Sequence, residues 1–342
     1  MVATGDFNGD GKIDFAIVNQ YTSNISVVLA GAGVTFGTPA TYVAGSAPSW
    51  IAVGDLNGDG RLDLAATNAS SANIAAFYGR GDGTFAPATM IATAQQPFPV
   101  ALADLNGDGK LDIAVVTDPT VGVLLGNGSG GFGAQVSYTP GSRPFSLAVA
   151  DFNGDGKPDL AVGNSASNNV SILSNKGDGT FNAPVNYPSA GTEVRSLAVA
   201  DFNGDGRLDL ALGNAGSFNV SILLGNGDGT FGTAKSYKVA GQPWSISVGD
   251  FNGDGRPDIA AISIYSSVSL LLNKGGGAFA DWISIPAGDR PREVLVRDVN
   301  GDGRSDLIVT NGDVTTPTSP YNYVTVLTND CAAALRRRPA RH

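Results

Sequence analysis

The sequence predicts an all-β protein: a seven-bladed β-propeller of four-stranded antiparallel blades, with the seventh blade short of its outer strand. Three observations predict it. A nine-residue motif, Asp-x-Asn-Gly-Asp-Gly-x-x-Asp, occurs seven times, starting at Asp6, Asp55, Asp104, Asp151, Asp201, Asp250 and Asp298. Successive copies lie 47 to 50 residues apart, the length of one propeller blade. Short Val/Ile/Leu runs alternate with Gly, Asn, Asp, Ser and Thr, the pattern of short strands joined by tight turns.

Blade two can be read element by element. Residues 50–54 form the innermost strand and 55–63 the acidic loop. Residues 64–67 form the second strand, 68–73 a turn, 74–78 the third strand, 79–85 a Gly-rich turn and 90–93 the outer strand. In the innermost strands large side chains flank small ones: Ile51 and Val53 flank Ala52, Val100 and Leu102 flank Ala101, and Leu197 and Val199 flank Ala198. Period two places the two sets on opposite faces. Neither face is charged, so both are expected to be buried, which stacked blades achieve and a lone blade does not.

A second recurrent element, Asn-Gly-Asp-Gly-Thr-Phe, is complete at 226–231 and varied at 31–36, 80–85, 127–132, 176–181 and 274–279. Its glycines permit positive φ in a tight hairpin, and its Phe is expected to plug back onto the sheet. The two motifs together resemble the FG-GAP/VCBS repeat family, which includes the integrin α-subunit N-terminal propeller and a fungal propeller lectin. The resemblance covers residues 1–328, in repeats starting near 1, 50, 99, 146, 196, 245 and 293. It implies a seven-bladed propeller with calcium between the first and second strands of each blade, and an extracellular binding or adhesion role. Residues 329–342 form a basic tail expected to be disordered.

The repeats depart from that pattern at both ends. The seventh lacks the Gly-rich turn and outer strand after Thr328, and the first starts inside its innermost strand. The expectation is a fragment, or an internal start, with upstream residues supplying the missing strand. The first motif begins at Asp6 and leaves no room for a signal peptide in the sequence as given.

The acidic loops read as metal sites. Calcium takes six to eight oxygen ligands in flexible geometry. Loop positions 1, 3, 5 and 9 supply side-chain oxygens, and position 7 supplies a backbone carbonyl. The predicted ligands are Asp6, Asn8, Asp10, Lys12 and Asp14 in the first loop, then Asp55, Asn57, Asp59, Arg61 and Asp63 in the second. The third uses Asp104, Asn106, Asp108, Lys110 and Asp112, and the fourth Asp151, Asn153, Asp155, Lys157 and Asp159. Asp201, Asn203, Asp205, Arg207 and Asp209 follow, then Asp250, Asn252, Asp254, Arg256 and Asp258, and last Asp298, Asn300, Asp302, Arg304 and Asp306. With no His or Cys in the loops, zinc and copper are disfavoured. The competing reading is a metal-free Asx-turn. Three carboxylates in each of seven copies would repel one another if bare, which favours up to seven calcium ions in a structural role. Cytosolic calcium is too low to fill weak sites of this kind, so an extracellular or cell-surface setting is expected.

Charge supports local sites over a diffuse acidic surface. Three aspartates in each of seven motifs account for 21 of the 31 acidic residues, and the net charge is −10. Basic residues cluster only in the tail, at Arg336, Arg337, Arg338 and Arg341, so no nucleic-acid role is read. No apolar stretch is long enough for membrane insertion. Cys331 is the only cysteine, which excludes an intramolecular disulfide. A monomeric propeller or part of a larger chain is expected.

Strand order places the acidic loops and Gly-rich turns at one end of each blade, and the more varied loops at the other. Near the start of the innermost strands, Trp50, Phe98, Phe145, Arg195, Trp244 and Arg292 are the candidate ligand-binding residues, with Ser49, Arg143, Gln242 and Arg290 nearby. Aromatics and arginines there suit a carbohydrate or an acidic extracellular protein. The competing reading is that Phe98, Phe145 and Trp244 share parity with the large core residues and cap the space between blades. Tyr21, Phe218, Tyr265 and the loop 311–323 are further candidates. Arg80-Gly81-Asp82 resembles an integrin-recognition tripeptide but stands where other repeats carry a turn. Asn24, Asn169 and Asn219 begin Asn-x-Ser at the same strand edge, which favours a structural role over glycosylation.

The only His, His342, and the only Cys, Cys331, both lie in the tail. Ser-His, Cys-His and His-ligated metal catalysis are thereby disfavoured, and no catalytic residue is assigned. A polysaccharide lyase or hydrolase on a propeller scaffold is the alternative, beside a purely structural module of a larger surface protein.

Overall fold

The computed structural model describes residues 1–264, 266–312, 323–329 and 336–339. It is a seven-bladed β-propeller whose four-stranded antiparallel sheets take their strands in sequence order. Among the described residues there is no helix, and so none long and apolar enough to cross a membrane. In blade two the strands are Pro48–Gly54, Asp63–Asn68, Asn73–Phe77 and Thr89–Ala92, within a residue or two of the expected bounds. Gly54 pairs with Asp63 beside the acidic loop, and Pro48 pairs with Asn68 at the opposite end.

Burial grades outward from the second strand. Asp63–Asn68, Asp112–Thr117 and Asp209–Asn214 are buried throughout. The third strands Asn73–Phe77 and Asn169–Leu173 are buried past their first residue, and the outer strands Thr89–Ala92 and Val185–Pro188 are mostly exposed. The innermost strands differ from expectation. Both faces were expected to be buried, yet Pro48–Gly54 is half-buried from Ser49 onward. The reason is its place as an edge strand, paired with a sheet neighbour on one side only.

The chain forms two compact units, Met1–Val149 with Gly156–Val162 and Leu173–Pro184, and Ala150–Asp155 with Gly163–Ile172 and Val185–His342. In the first, Phe7, Ile25, Val27, Leu64 and Phe77 share one apolar cluster that joins blades one and two. In the second, Phe202, Val220, Ile246, Ile259 and Phe279 do the same for blades five and six.

The Gly-rich turns bind one blade to the one before it. Phe85 packs edge-on against Phe7 at 5.5 Å and Tyr42 at 5.7 Å, both from blade one. Phe279 repeats this with Phe202 at 5.7 Å and Tyr237 at 5.4 Å. The turn backbone reaches the same place: Gly83 donates to the Phe7 carbonyl at 2.9 Å and Gly179 to that of Leu105 at 3.1 Å.

In the seventh blade three strands belong to the repeat: Pro291–Arg297, Asp306–Asn311 and Tyr323–Thr328. The open edge beside Tyr323–Thr328 is taken by a tail segment, Arg336–Pro339, which runs antiparallel to it with Thr328 paired to Arg336. This part of the tail, expected to be disordered, is a strand; an unpaired sheet edge offers N–H and C=O groups to any nearby segment. Tyr265 and residues 313–322, 330–335 and 340–342 lie outside the described residues.

Candidate functional site

Each acidic loop is a nest of Asx turns around its first aspartate. In blade two, Asp55 Oδ1 accepts from the backbone N–H of Gly58 at 2.7 Å and Asp59 at 3.1 Å, and Oδ2 accepts from Gly60 at 2.8 Å. Asn57 Oδ1 accepts from Asp59 N–H, and Asp59 Oδ1 from Arg61 N–H, both at 3.0 Å. The same pattern recurs around Asp6, Asp104, Asp201, Asp250 and Asp298. Gly60 sits at φ +80° with open space where a Cβ would stand, so its requirement is backbone conformation and not room.

The ninth residue has a second role that the sequence reading missed. Asp63 is fully buried; its Oδ2 accepts from Leu56 N–H at 2.9 Å inside the loop, and its Oδ1 accepts from Gly79 N–H at 2.8 Å at the start of the Gly-rich turn. Asp14, Asp112, Asp159, Asp209, Asp258 and Asp306 hold the equivalent turn N–H at 2.7–2.8 Å. In blades one to six the ninth aspartate therefore pins the acidic loop to the Gly-rich turn of its own blade, and in the seventh Asp306 ties it to Asn329, just past the third strand. Burial raises the carboxyl pKa of Asp14, Asp63, Asp112, Asp209, Asp258 and Asp306.

The fifth residue is exposed and faces the cation at position seven. Lys12 Nζ lies 2.8 Å from Asp10 and Lys110 Nζ 3.2 Å from Asp108, while Arg256 pairs with Asp254. The hydrogen bond from Lys12 holds the Asp10 carboxyl below its ordinary pKa. Among the described residues no group of three or more His, Cys, Asp or Glu side chains is gathered as a metal centre. The donor chemistry nonetheless fits a hard divalent cation: every side chain at positions 1, 3, 5 and 9 carries an oxygen atom, and none a sulfur or imidazole donor. An ionised carboxylate offers about four lone-pair positions, so an oxygen holding one backbone N–H retains capacity for an ion.

At the opposite end the candidate residues fall into two groups. In the first unit, Trp50, Phe98 and Phe145 come from three successive innermost strands and meet one another. The ring centroids are 6.1 Å apart for Trp50–Phe98, 5.8 Å for Trp50–Phe145 and 6.2 Å for Phe98–Phe145. All three are half-buried. In the second unit, the guanidinium carbons of Arg195 and Arg292 lie 5.1 and 5.6 Å from the ring centre of Trp244. Arg195 is 3.9 Å from Glu193, Arg292 Nε donates to the Gly312 carbonyl at 3.3 Å, and Trp244 Nε1 donates to Gln242 Oε1 at 3.1 Å.

This corrects the parity argument for Phe98. The pairing slips between Pro97 and Val100, between Pro48 and Trp50, between Val194 and Ser196 and between Pro291 and Glu293. A bulge of this kind breaks the period-two alternation and re-aims the side chain it carries. Phe98 therefore does not continue the series of Val100 and Leu102, and Arg195 and Arg292 occupy the bulges themselves. In blade two Ser49 holds the bulge and bonds Thr67, leaving Trp50 to join the rings.

The remaining candidates resolve locally. Asp82 accepts from the Thr84 N–H at 2.9 Å and hydroxyl at 2.6 Å, and Arg80 donates to the Phe85 carbonyl, so Arg80-Gly81-Asp82 is held as a turn at the acidic-loop end. Asn24, Asn169 and Asn219 accept from Asn19, Asn164 and Asn214 at 2.7–2.8 Å, as partners across the hairpin. Tyr21 and Phe218 are exposed.

Blades of one strand order, each with the same acidic loop at the same corner, define a repeat β-propeller. The chain belongs to the FG-GAP-like repeat family, whose model matches residues 6–66, 56–115, 104–162, 151–212, 201–261 and 250–309. Among solved structures it is similar to an Agrocybe aegerita lectin that specifically recognises non-reducing terminal N-acetylglucosamine. That likeness has 25% identity over 84% of this chain and 80% of the lectin, with a TM-score of 0.62. A Desulfotomaculum acetoxidans protein is 13% identical over 92% of this chain and 91% of its own, with a TM-score of 0.65. The V. cholerae biofilm matrix protein Bap1 is 15% identical over 95% of this chain and 86% of its own, with a TM-score of 0.52. These last two share the fold. A search of curated proteins found no match.

Proposed function

We propose that this chain is a calcium-stabilised extracellular binding propeller that recognises carbohydrate or protein through the end opposite its acidic loops. The observation that carries this reading is the contrast between the ends of the blades. At the loop end, the same backbone-satisfied nest recurs blade after blade. At the other end, half-buried rings and guanidiniums meet in different combinations, the chemistry that anchors ligands on rigid scaffolds. In each loop the residues at positions 1, 3, 5 and 9, with the position-7 carbonyl, would hold one calcium ion. Extracellular calcium is high enough to occupy weak sites of this type, and this supports a secreted or surface setting. The likeness to a sugar-binding lectin favours carbohydrate as the ligand class.

A glycan and matrix-protein binding screen of the full chain in calcium tests this. Binding that is lost on Trp50→Ala, with the melting temperature kept, is the expected outcome. Binding lost only on changing exposed loop-end residues, or turnover of a bound polysaccharide, would overturn the reading.

A further inference from the structure

Nine Asn-Gly-Asp tripeptides stand in this chain, at 8–10, 57–59, 106–108, 153–155, 203–205, 226–228, 252–254, 300–302 and 311–313. An asparagine followed by glycine is chemically fragile, because glycine carries no side chain to keep its nitrogen from the asparagine's own amide carbon. Identical tripeptides share that reactivity, so differences between them come from the fold.

Seven of the nine lie in the acidic loops, and there both reacting groups are held. The glycine N–H donates to the first aspartate at 2.7–2.8 Å, as Gly58 does to Asp55. The asparagine Oδ1 accepts from the N–H two residues on at 2.8–3.0 Å, as Asn57 does from Asp59. In the tripeptide at 311–313, Asn311 is buried and Gly312 donates to the Arg290 carbonyl. A further Asn-Gly, Asn127-Gly128, is followed by serine, and its Oδ1 accepts from the Ser129 and Gly131 N–H at 2.9 Å. Asn226 is different. It is exposed in the Gly-rich turn of blade five, and its Nδ2 donates to Thr230 Oγ1 at 2.9 Å. Among the described residues no donor reaches its Oδ1, and no acceptor reaches the Gly227 N–H.

We propose that Asn226 is the site at which this chain deamidates spontaneously, with water as the only co-reactant, and that the hydrogen-bonded nests shield the seven loop asparagines. The Gly227 nitrogen gives its proton to solvent and attacks Asn226 Cγ. The new N–C bond closes a five-membered imide as the Cγ–Nδ2 bond breaks and ammonia leaves. Water then opens the ring at either carbonyl, to aspartate or isoaspartate, with no change of oxidation state. Either product puts a new carboxylate near Asp228, in the turn whose Gly229 N–H donates to the Phe152 carbonyl of blade four at 3.0 Å.

The test is peptide mapping by mass spectrometry after timed incubation of the full chain at mildly alkaline pH. One sample is folded in calcium, one folded in chelator below its melting temperature, and one unfolded in urea. In urea the nine tripeptides should deamidate at like rates. In both folded samples Asn226 should stay close to its unfolded rate, while the loop asparagines should be slowed at least about tenfold, since two hydrogen bonds must open first. Asp55→Ala should raise the rate at Asn57 alone toward that of Asn226. If that variant does not fold, the ratio of folded to unfolded rates in the wild-type chain carries the test. Loop asparagines as fast as Asn226 in the folded chain, or Asn226 as slow as they are, would overturn the proposal. So would shielding that vanishes in chelator while the chain stays folded, because it would assign the protection to the ion and not to the nest.

Discussion

The two ends of a blade are made from the same strands and solve different problems. At the acidic end, each carboxylate is engaged by backbone N–H groups, and the ninth aspartate fastens the loop to the Gly-rich turn. At the opposite end, side chains meet side chains across blades, and the partners change from rings to guanidiniums. The first end repeats because every blade needs the same joint. The second end varies because the joint is already made elsewhere. A substitution should therefore lower stability at one end and change binding at the other.

The largest single-residue effect should come from the buried ninth aspartate. Asp209→Ala leaves the N–H groups of Phe202 and Gly225 buried without their acceptors. The expected loss is about 2–5 kcal/mol, measured by chemical denaturation. Asp209→Asn, which keeps one acceptor oxygen, should fall between wild type and Ala. A loss below about 0.5 kcal/mol for Ala would break the distinction between the ends.

Next in size is the plug between blades. Phe231 packs on Phe152 at 5.7 Å and Tyr187 at 5.4 Å, so Phe231→Ala should cost about 3 kcal/mol and leave ligand affinity unchanged at a temperature where the variant stays folded. Weakened binding by the folded variant would show that the ends are coupled.

A smaller effect sharpens the comparison through pH. Burial raises Asp14, Asp63, Asp112, Asp209, Asp258 and Asp306 above the ordinary value of 3.8. Such a carboxyl binds its proton more tightly when folded. Its contribution to stability is full below 3.8 and is lost as pH rises through the raised value. The hydroxyls of Thr84, Thr180 and Thr230 hold Asp82, Asp178 and Asp228 below 3.8. Their contribution is full above 3.8 and is lost only as pH falls through the lowered values. In chelator, the melting temperature should therefore fall on going from about pH 4 to 7. In calcium it should rise over the same interval, because the ion requires the ionised carboxylates. Parallel pH profiles in the two buffers would contradict this.

The blade period was legible because a loop that repeats its backbone must repeat its residues. Gly60 and Asp63 recur in every motif for that reason, and the strands between them followed from alternation. The bulges were not legible. A bulge is a relation between two strands, such as Pro97–Ala103 against Asp112–Thr117, and nothing local to Phe98 announces it. The meeting of Trp50 with Phe145, two blades apart in sequence, is likewise a relation between strands that no local pattern announces. The inter-blade plug had a signal that went unread: Tyr42, Tyr138, Tyr187 and Tyr237 recur shortly before the next acidic loop, and each holds a turn Phe. The strand Arg336–Pro339 carries no repeat motif, and only the open edge beside Tyr323–Thr328 accounts for it.

The most direct test of the account is thermal unfolding of the full chain in calcium against chelator at neutral pH. For sites with Kd ~0.1 mM, ~1 mM calcium contributes about 1.4 kcal/mol per site. Seven such loops would contribute roughly 10 kcal/mol in all. For a chain of 342 residues this corresponds to a rise in Tm of about 15 °C. A rise of that order, with calcium bound at close to one ion per loop, is the predicted result. Superimposable melts in calcium and chelator would contradict the claim that the acidic end holds the fold through calcium.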